Sequence, residues 1–187
     1  TETAPLLAGA IPEFVKWQST GPAVHGVTLR IDNPNPETGE GEIVAKGPNV
    51  MLGYYKNPEA TEQAFTKDGW FKTGDLVETL DDDYLKIIGR NKEVINVGGQ
   101  KVLPAEVESV ILSMEEIDDC MVYSETNVIT GQTVVCDVVL HEPKENIKKI
   151  IRLFCKDKLE TFKIPTKVNV VEKTNFSDRF KKIRRKD

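Results

Sequence analysis

The residues that could do chemistry are few and widely separated. Asp75 closes the triplet Thr73-Gly74-Asp75 at the end of a β-prone segment. A carboxylate in that position can accept two hydrogen bonds from a vicinal diol, as ribose-binding carboxylates do, although Gly-Asp is also a common turn. Fifteen residues on, Gly89-Arg90 could present a fixed guanidinium to a phosphate or ribose oxygen, or Arg90 could pair with the acids Asp81, Asp82 and Asp83. Gly98-Gly99 permits close approach of backbone to a ligand, or makes a turn before Val102. At the far end, six of the nine residues 179–187 are Lys or Arg, among them Lys181 and Lys182. Such a run is either a reactive cationic site or a solvated basic end able to meet polyanions.

The elements that must position these groups form two regions. Residues 1–88 alternate turn signals, such as Asn33-Pro34-Asn35-Pro36 and Lys46-Gly47-Pro48-Asn49, with short runs of period two at residues 27–31 and 42–45. Pro58 near the start of 57–65 predicts a short helix there. Farther on, residues 84–88 and 94–97 read as strands joined by a turn at 89–92. Pro104 opens a helix whose apolar face is Val107, Val110, Ile111 and Met114. Strands over 119–124 and 133–141, a helix over 144–159 and a strand at 168–171 complete the pattern. The expected fold class is α+β: a small β-rich, distorted barrel-like subdomain, then a compact domain with a small sheet flanked by helices.

Composition removes several function classes. The 187 residues carry 39% hydrophobic and 29% charged side chains and a net charge of −5, so a nucleic-acid binder is not expected. No apolar run approaches the ~20 residues needed to cross a bilayer, and no basic and apolar leader opens the chain. Cys120, Cys136 and Cys155 are odd in number and far apart, which suits buried apolar cysteines in a reducing, cytoplasmic compartment rather than disulfides or a metal site.

Read together, the motifs resemble the acyl-adenylate-forming enzymes, the superfamily of acyl-CoA synthetases, luciferase and peptide-synthetase adenylation domains. The resemblance is colinear across the chain. It runs through Gly41-Glu42-Ile43-Val44, Gly47-Pro48-Asn49-Val50-Met51-Leu52-Gly53-Tyr54-Tyr55 and Asp68-Gly69-Trp70-Phe71-Lys72-Thr73-Gly74-Asp75. It continues through Gly89-Arg90-Asn91-Lys92-Glu93 and Gly98-Gly99-Gln100-Lys101-Val102-Leu103-Pro104. The opening Thr1-Glu2-Thr3-Ala4-Pro5 looks like the family's Tyr-Gly-Met-Thr-Glu-Thr motif cut after its Met.

The resemblance implies a two-step reaction: a carboxylic acid is activated by ATP as acyl-AMP, then transferred to CoA. It implies that Thr1 touches the α-phosphate, Glu2 holds Mg²⁺, and Asp75 and Arg90 bind the ribose. It further implies that Lys92 marks a hinge about which a small domain turns, and that Gly98 and Gly99 line the pantetheine tunnel of the second step. The implied domains are 1–89, the last subdomain of a large N-terminal domain, and 90–187, the mobile small domain. The family's adenylation lysine falls in Ser177-Asp178-Arg179-Phe180-Lys181-Lys182-Ile183-Arg184, where spacing from Phe162-Lys163-Ile164-Pro165 selects Lys181, local matching selects Lys182, and Ser177 alignment leaves Arg179.

The family's Ser/Thr/Gly-rich phosphate loop has no counterpart in these 187 residues. The chain is therefore expected to be the C-terminal portion of a longer enzyme, inactive without its N-terminal part. The Gly47–Tyr55 segment and Lys92 point to a long-chain fatty acid–CoA ligase. The alternatives are an adenylation enzyme that loads a carrier protein and a non-catalytic interaction module derived from the small domain.

Overall fold

The computed structural model describes residues 2–80 and 84–174, and the chain divides into two compact units between Asn91 and Lys92. In the first, strands β1 (Thr28–Asp32), β2 (Gly41–Lys46), β3 (Phe71–Thr79) and β4 (Leu85–Arg90) form an antiparallel sheet in that spatial order. Helix α1 (Pro58–Ala64) connects β2 to β3 and starts as expected. Asn57 caps it by accepting the Ala60 N–H at 3.0 Å, with Pro58 at the first helical position. Ile43, Val77 and Leu85 bury one face of this sheet, packed by Leu29 and Ile31.

The second unit holds β5 (Ile95–Val97), β6 (Gln100–Val102), α2 (Pro104–Leu112), β7 (Ile117–Asn127), β8 (Gly131–Leu140), α3 (Ile147–Lys156) and β9 (Lys167–Val170). The sheet order is β6-β5-β8-β7, with β9 joined parallel to β8. Inward positions of the sheet, such as Val122, Val134, Cys136 and Val138, pack against Val107 and Ile111 of α2 and Ile147 and Ile151 of α3. The period-two strand pattern meets the 3.6-residue helical pattern in one apolar layer. All three cysteines are buried and in no disulfide, and burial, with Cys120 close by, pushes the Cys155 thiol up to about 11.

Four details differ from the sequence reading. β3 is a nine-residue strand running through Gly74-Asp75, which the Gly-Asp punctuation had marked as a strand end. Gly89 and Arg90 are not turn residues: they pair with Leu76 and Asp75, and the turn is the 3-10 segment Asn91–Glu93. The short polar strand β6 was missed, having only three residues, two of them Gln100 and Lys101. α3 starts at Ile147 rather than at residue 144 because Asn146 adopts a left-handed conformation, φ +57°, from which a right-handed helix cannot continue backwards.

Candidate functional site

The Thr73-Gly74-Asp75 triplet sits on an interruption of the β2–β3 ladder. Between the pairs Glu42↔Leu76 and Val44↔Lys72, β2 supplies only Ile43 while β3 supplies Thr73, Gly74 and Asp75. The surplus residues bulge out of the sheet, a device that re-aims a side chain. Thr73 stitches the bulge by donating its hydroxyl to the Ile43 carbonyl (2.8 Å) and accepting the Asp75 N–H (3.1 Å). Gly74 has φ +78° with open space where a Cβ would stand, so its glycine is needed for conformation and not for room.

Asp75 is the register partner of Arg90 on β4, and the guanidinium Nε donates to Asp75 Oδ1 at 2.6 Å. Only 24% of the Asp75 side chain is exposed, against 47% for Arg90. Two groups fifteen residues apart in sequence are thus brought side by side at the end of the sheet. This places Arg90 on Asp75; residues 81–83, the other expected partners, lie outside the described residues.

Glu42 is a residue that sequence reasoning did not select. Its Oε1 accepts the Gly74 N–H at 3.0 Å, and its Oε2 accepts an amide hydrogen of Asn91 at 3.1 Å. One carboxylate therefore spans the bulge and the last residue before the chain divides. Both bonds cross long sequence separations, so no local pattern could have signalled them. Lys92 follows in the 3-10 segment and is exposed.

Gly98 and Gly99 form the two-residue loop of the β5–β6 hairpin, closed by the pair Val97↔Gln100. Their φ values of +58° and +89° suit a hairpin loop with both central residues left-handed. Gly98 N–H donates to the Thr130 carbonyl (2.9 Å) and Gly99 N–H to Asn96 Oδ1 (2.8 Å), while both glycines stay exposed.

Glu2 is half-buried; its carbonyl accepts the Met51 N–H at 2.8 Å and its Oε1 the Tyr54 hydroxyl at 3.4 Å. Hydrogen bonding from its own backbone holds the Glu2 carboxyl below its ordinary pKa, whereas burial and then the Glu2 charge raise that of Tyr54. No group of three His, Cys, Asp or Glu side chains among the described residues could hold a metal. Thr1, Lys181, Lys182 and Arg179 lie outside the described residues.

Residues 106–177 match the AMP-binding enzyme C-terminal domain. The chain carries the AMP-binding C-terminal domain of the adenylate-forming, acyl-CoA ligase superfamily. It is 36% identical over 177 residues to 2-succinylbenzoate–CoA ligase of Geobacillus kaustophilus, covering 92% of this chain and 36% of that one. It is 37% identical over 142 residues to oxalate–CoA ligase of Arabidopsis thaliana, covering 76% of this chain and 27% of that one. Among solved structures, o-succinylbenzoate CoA synthetase from Bacillus subtilis in complex with its acyl-adenylate intermediate superposes with a TM-score of 0.85 at 31% identity. That match covers 98% of this chain and 38% of the synthetase. The same enzyme in complex with ATP and magnesium ion gives a TM-score of 0.82.

The chain thus spans well under half the length of the relatives it matches. Those relatives are CoA ligases named for chemically different acids, an aromatic succinyl acid and a two-carbon diacid. The α+β architecture with two sheets and few helices matches the solved adenylate-forming enzymes. No helix among the described residues is long and apolar enough to cross a membrane.

Proposed function

We propose that this chain is the C-terminal portion of an ATP-dependent acyl-CoA ligase, comprising the final sheet unit of the large domain and the small domain that follows. The observation that carries the reading is the Asp75–Arg90 pair, where β4 ends opposite the bulge of β3, next to the point where the chain divides. The resemblance to ligases, one of them solved with an acyl-adenylate, supports the same reading.

In the adenylation step a carboxylate oxygen of the acid attacks the α-phosphorus of ATP, and pyrophosphate leaves. Asp75 accepts the ribose hydroxyls and Arg90 fixes the orientation of Asp75 while adding a donor toward the ribose. Thr1 hydrogen-bonds the α-phosphate. Lys181, with Lys182 and Arg179 as alternatives, stabilises the charge that develops at phosphorus. In the second step the CoA thiol attacks the acyl carbon and AMP leaves. Gly98 and Gly99, free of side chains at an exposed hairpin tip, let the pantetheine arm pass close to backbone. Lys92 is the hinge about which the small domain turns between the two steps.

The donor set fits Mg²⁺ and not a dedicated metal cage. A single carboxylate at Glu2 is what an ion held mainly by water and substrate phosphates requires. Bound there, the ion would neutralise phosphate charge.

The acid is proposed to be a fatty acid on the Gly47–Tyr55 segment and Lys92, and the compartment to be cytoplasmic. ATP–pyrophosphate exchange and CoA-thioester formation by the full-length enzyme decide the reading. The panel holds long-chain fatty acids, 2-succinylbenzoate and oxalate, and the 187-residue chain runs beside it. Exchange by the full-length enzyme with fatty acids, and none by the chain alone, is the expected result. Transfer to a carrier protein but not to CoA would select the carrier-loading alternative. Silence of a folded full-length enzyme would select the interaction module.

A further inference from the structure

We infer that Glu42 is a positioning residue that ties the ribose-binding carboxylate Asp75 to the start of the hinge. The inference rests on the function proposed above and extends it to a residue to which that function assigns no ligand. Glu42 ends the regular part of the β2–β3 ladder, since Glu42↔Leu76 is the last pair before the bulge. The bulge removes Gly74 from that ladder, leaving its N–H in need of an acceptor away from the strand partner. Glu42 Oε1 supplies that acceptor at 3.0 Å. Glu42 thereby fixes the Thr73–Gly74 peptide, and the Thr73 hydroxyl holds the next one through the Asp75 N–H, so the two acceptors together set the backbone leading into Asp75.

The second carboxylate oxygen does separate work. Glu42 Oε2 holds the Asn91 amide at 3.1 Å, and Asn91 directly follows Arg90, the guanidinium bound to Asp75. Asn91 also directly precedes Lys92, where the hinge is placed. A bifunctional carboxylate anchors the two chain segments that carry Asp75 and Arg90 and fixes the fixed end of the hinge against the sheet. Charge strengthens both bonds relative to neutral acceptors.

Three substitutions in the full-length ligase separate the arms, with Asp75→Ala as the reference. Glu42→Ala raises KM for ATP in pyrophosphate exchange about tenfold with kcat within about twofold, the effect of losing one charge-assisted hydrogen bond that orients a binding group. Glu42→Gln restores KM to within about threefold, because its amide oxygen accepts from Gly74 and its NH₂ donates to Asn91 once the Asn91 amide flips. Asn91→Ala keeps the wild-type KM for ATP and slows only thioester formation. A wild-type KM in Glu42→Ala beside a raised KM in Asp75→Ala overturns the inference and leaves the ligase reading intact. A wild-type KM in Asp75→Ala overturns the ligase reading and the inference with it. An equal rise of KM in Asn91→Ala and Glu42→Ala overturns the assignment of separate arms. Hydrogen exchange of the Gly74 amide in the 187-residue chain gives a readout independent of activity. It speeds at least tenfold in Glu42→Ala and stays slow in Glu42→Gln, and unchanged exchange in both overturns the inference even if the alanine variant of the ligase fails to fold.

Discussion

Asp75 and Arg90 are register partners on adjacent antiparallel strands, and their side chains meet at 2.6 Å between Oδ1 and Nε. A cross-strand pair of this kind has its geometry set by the ladder rather than by flexible side chains alone. Removing Asp75 takes away the proposed acceptor for the ribose, whereas removing Arg90 leaves the carboxylate but frees its orientation. Asp75→Ala is expected to raise KM for ATP in the full-length enzyme by about 10- to 100-fold, the span of one or two hydrogen bonds to a charged group. Arg90→Ala should cost less, and the double variant should cost less than the two single losses multiplied, because the residues act as one unit. Strict multiplicativity in steady-state kinetics would show that they work independently.

A second ionic cluster joins β1 and β2 to the turn that precedes β3. Arg30 bonds Asp68 at 3.0 Å and lies 4.6 Å from the Trp70 ring centre, and Lys46 lies 4.8 Å from the same ring. The hydroxyl of Thr66 and then the Arg30 guanidinium hold the Asp68 carboxyl down at about 2. A depressed carboxylate contributes stability that is present above its ordinary pKa of ~3.9 and lost as pH falls through the folded value. A carboxyl-carbon NMR titration should place the Asp68 midpoint near 2, and Thr66→Val should move it back toward 4. An Asp68 midpoint near 4 in the unaltered chain would dissolve the cluster as drawn.

Lys163 works in the opposite pH range. Burial disfavours its charge, but hydrogen bonds to Glu106 (2.8 Å) and Glu160 (2.7 Å) outweigh that cost and raise its pKa. A raised lysine contributes stability that is complete below the unfolded value of ~10.4 and is lost as pH rises through the folded value. The contact pins the Thr161–Lys163 turn to the first turn of α2. Lys163→Met should lower the stability of the small-domain unit by about 1 kcal/mol at neutral pH, both glutamates being partly solvated. It should also flatten the alkaline limb of the urea-midpoint profile above pH ~10. A profile as steep as the wild type would assign that limb to other groups.

Much of this architecture was legible because local chemistry and global packing agree. Asn57-Pro58 caps α1, Pro104 opens α2, and the short period-two runs at 27–31 and 42–45 fall on β1 and β2. The Val107, Ile111 and Ile151 positions fall on the buried faces that their spacing requires. The failures share a cause. The Gly74-Asp75 dipeptide reads locally as a turn, yet cross-strand pairing on both sides keeps it inside β3 as a bulge. Glu42 and Asn91 acquire their roles only through contacts between distant segments, and a Glu in an alternating strand looks like an ordinary solvent-facing residue. The left-handed Asn146 that shortens α3 carries no side-chain cap bond to advertise it.

The β5–β6 hairpin offers the sharpest separation of the two proposed half-reactions. Gly98 and Gly99 both need positive φ, and Gly99 has open space at its Cβ position. Gly99→Ala therefore introduces a methyl group at an exposed tip without a steric clash inside the unit, at a conformational cost of about 1 kcal/mol. That cost is too small to unfold the hairpin, which the Thr130 carbonyl also holds through Gly98. If pantetheine passes along this backbone, the added group obstructs the thiol step and leaves adenylation untouched. Thioester formation by the full-length Gly99→Ala enzyme should fall at least tenfold, with KM for CoA rising and pyrophosphate exchange staying within about twofold of wild type. Equal losses in both half-reactions would mean that the substitution acts through folding, and no loss in either would remove the hairpin from the thiol path.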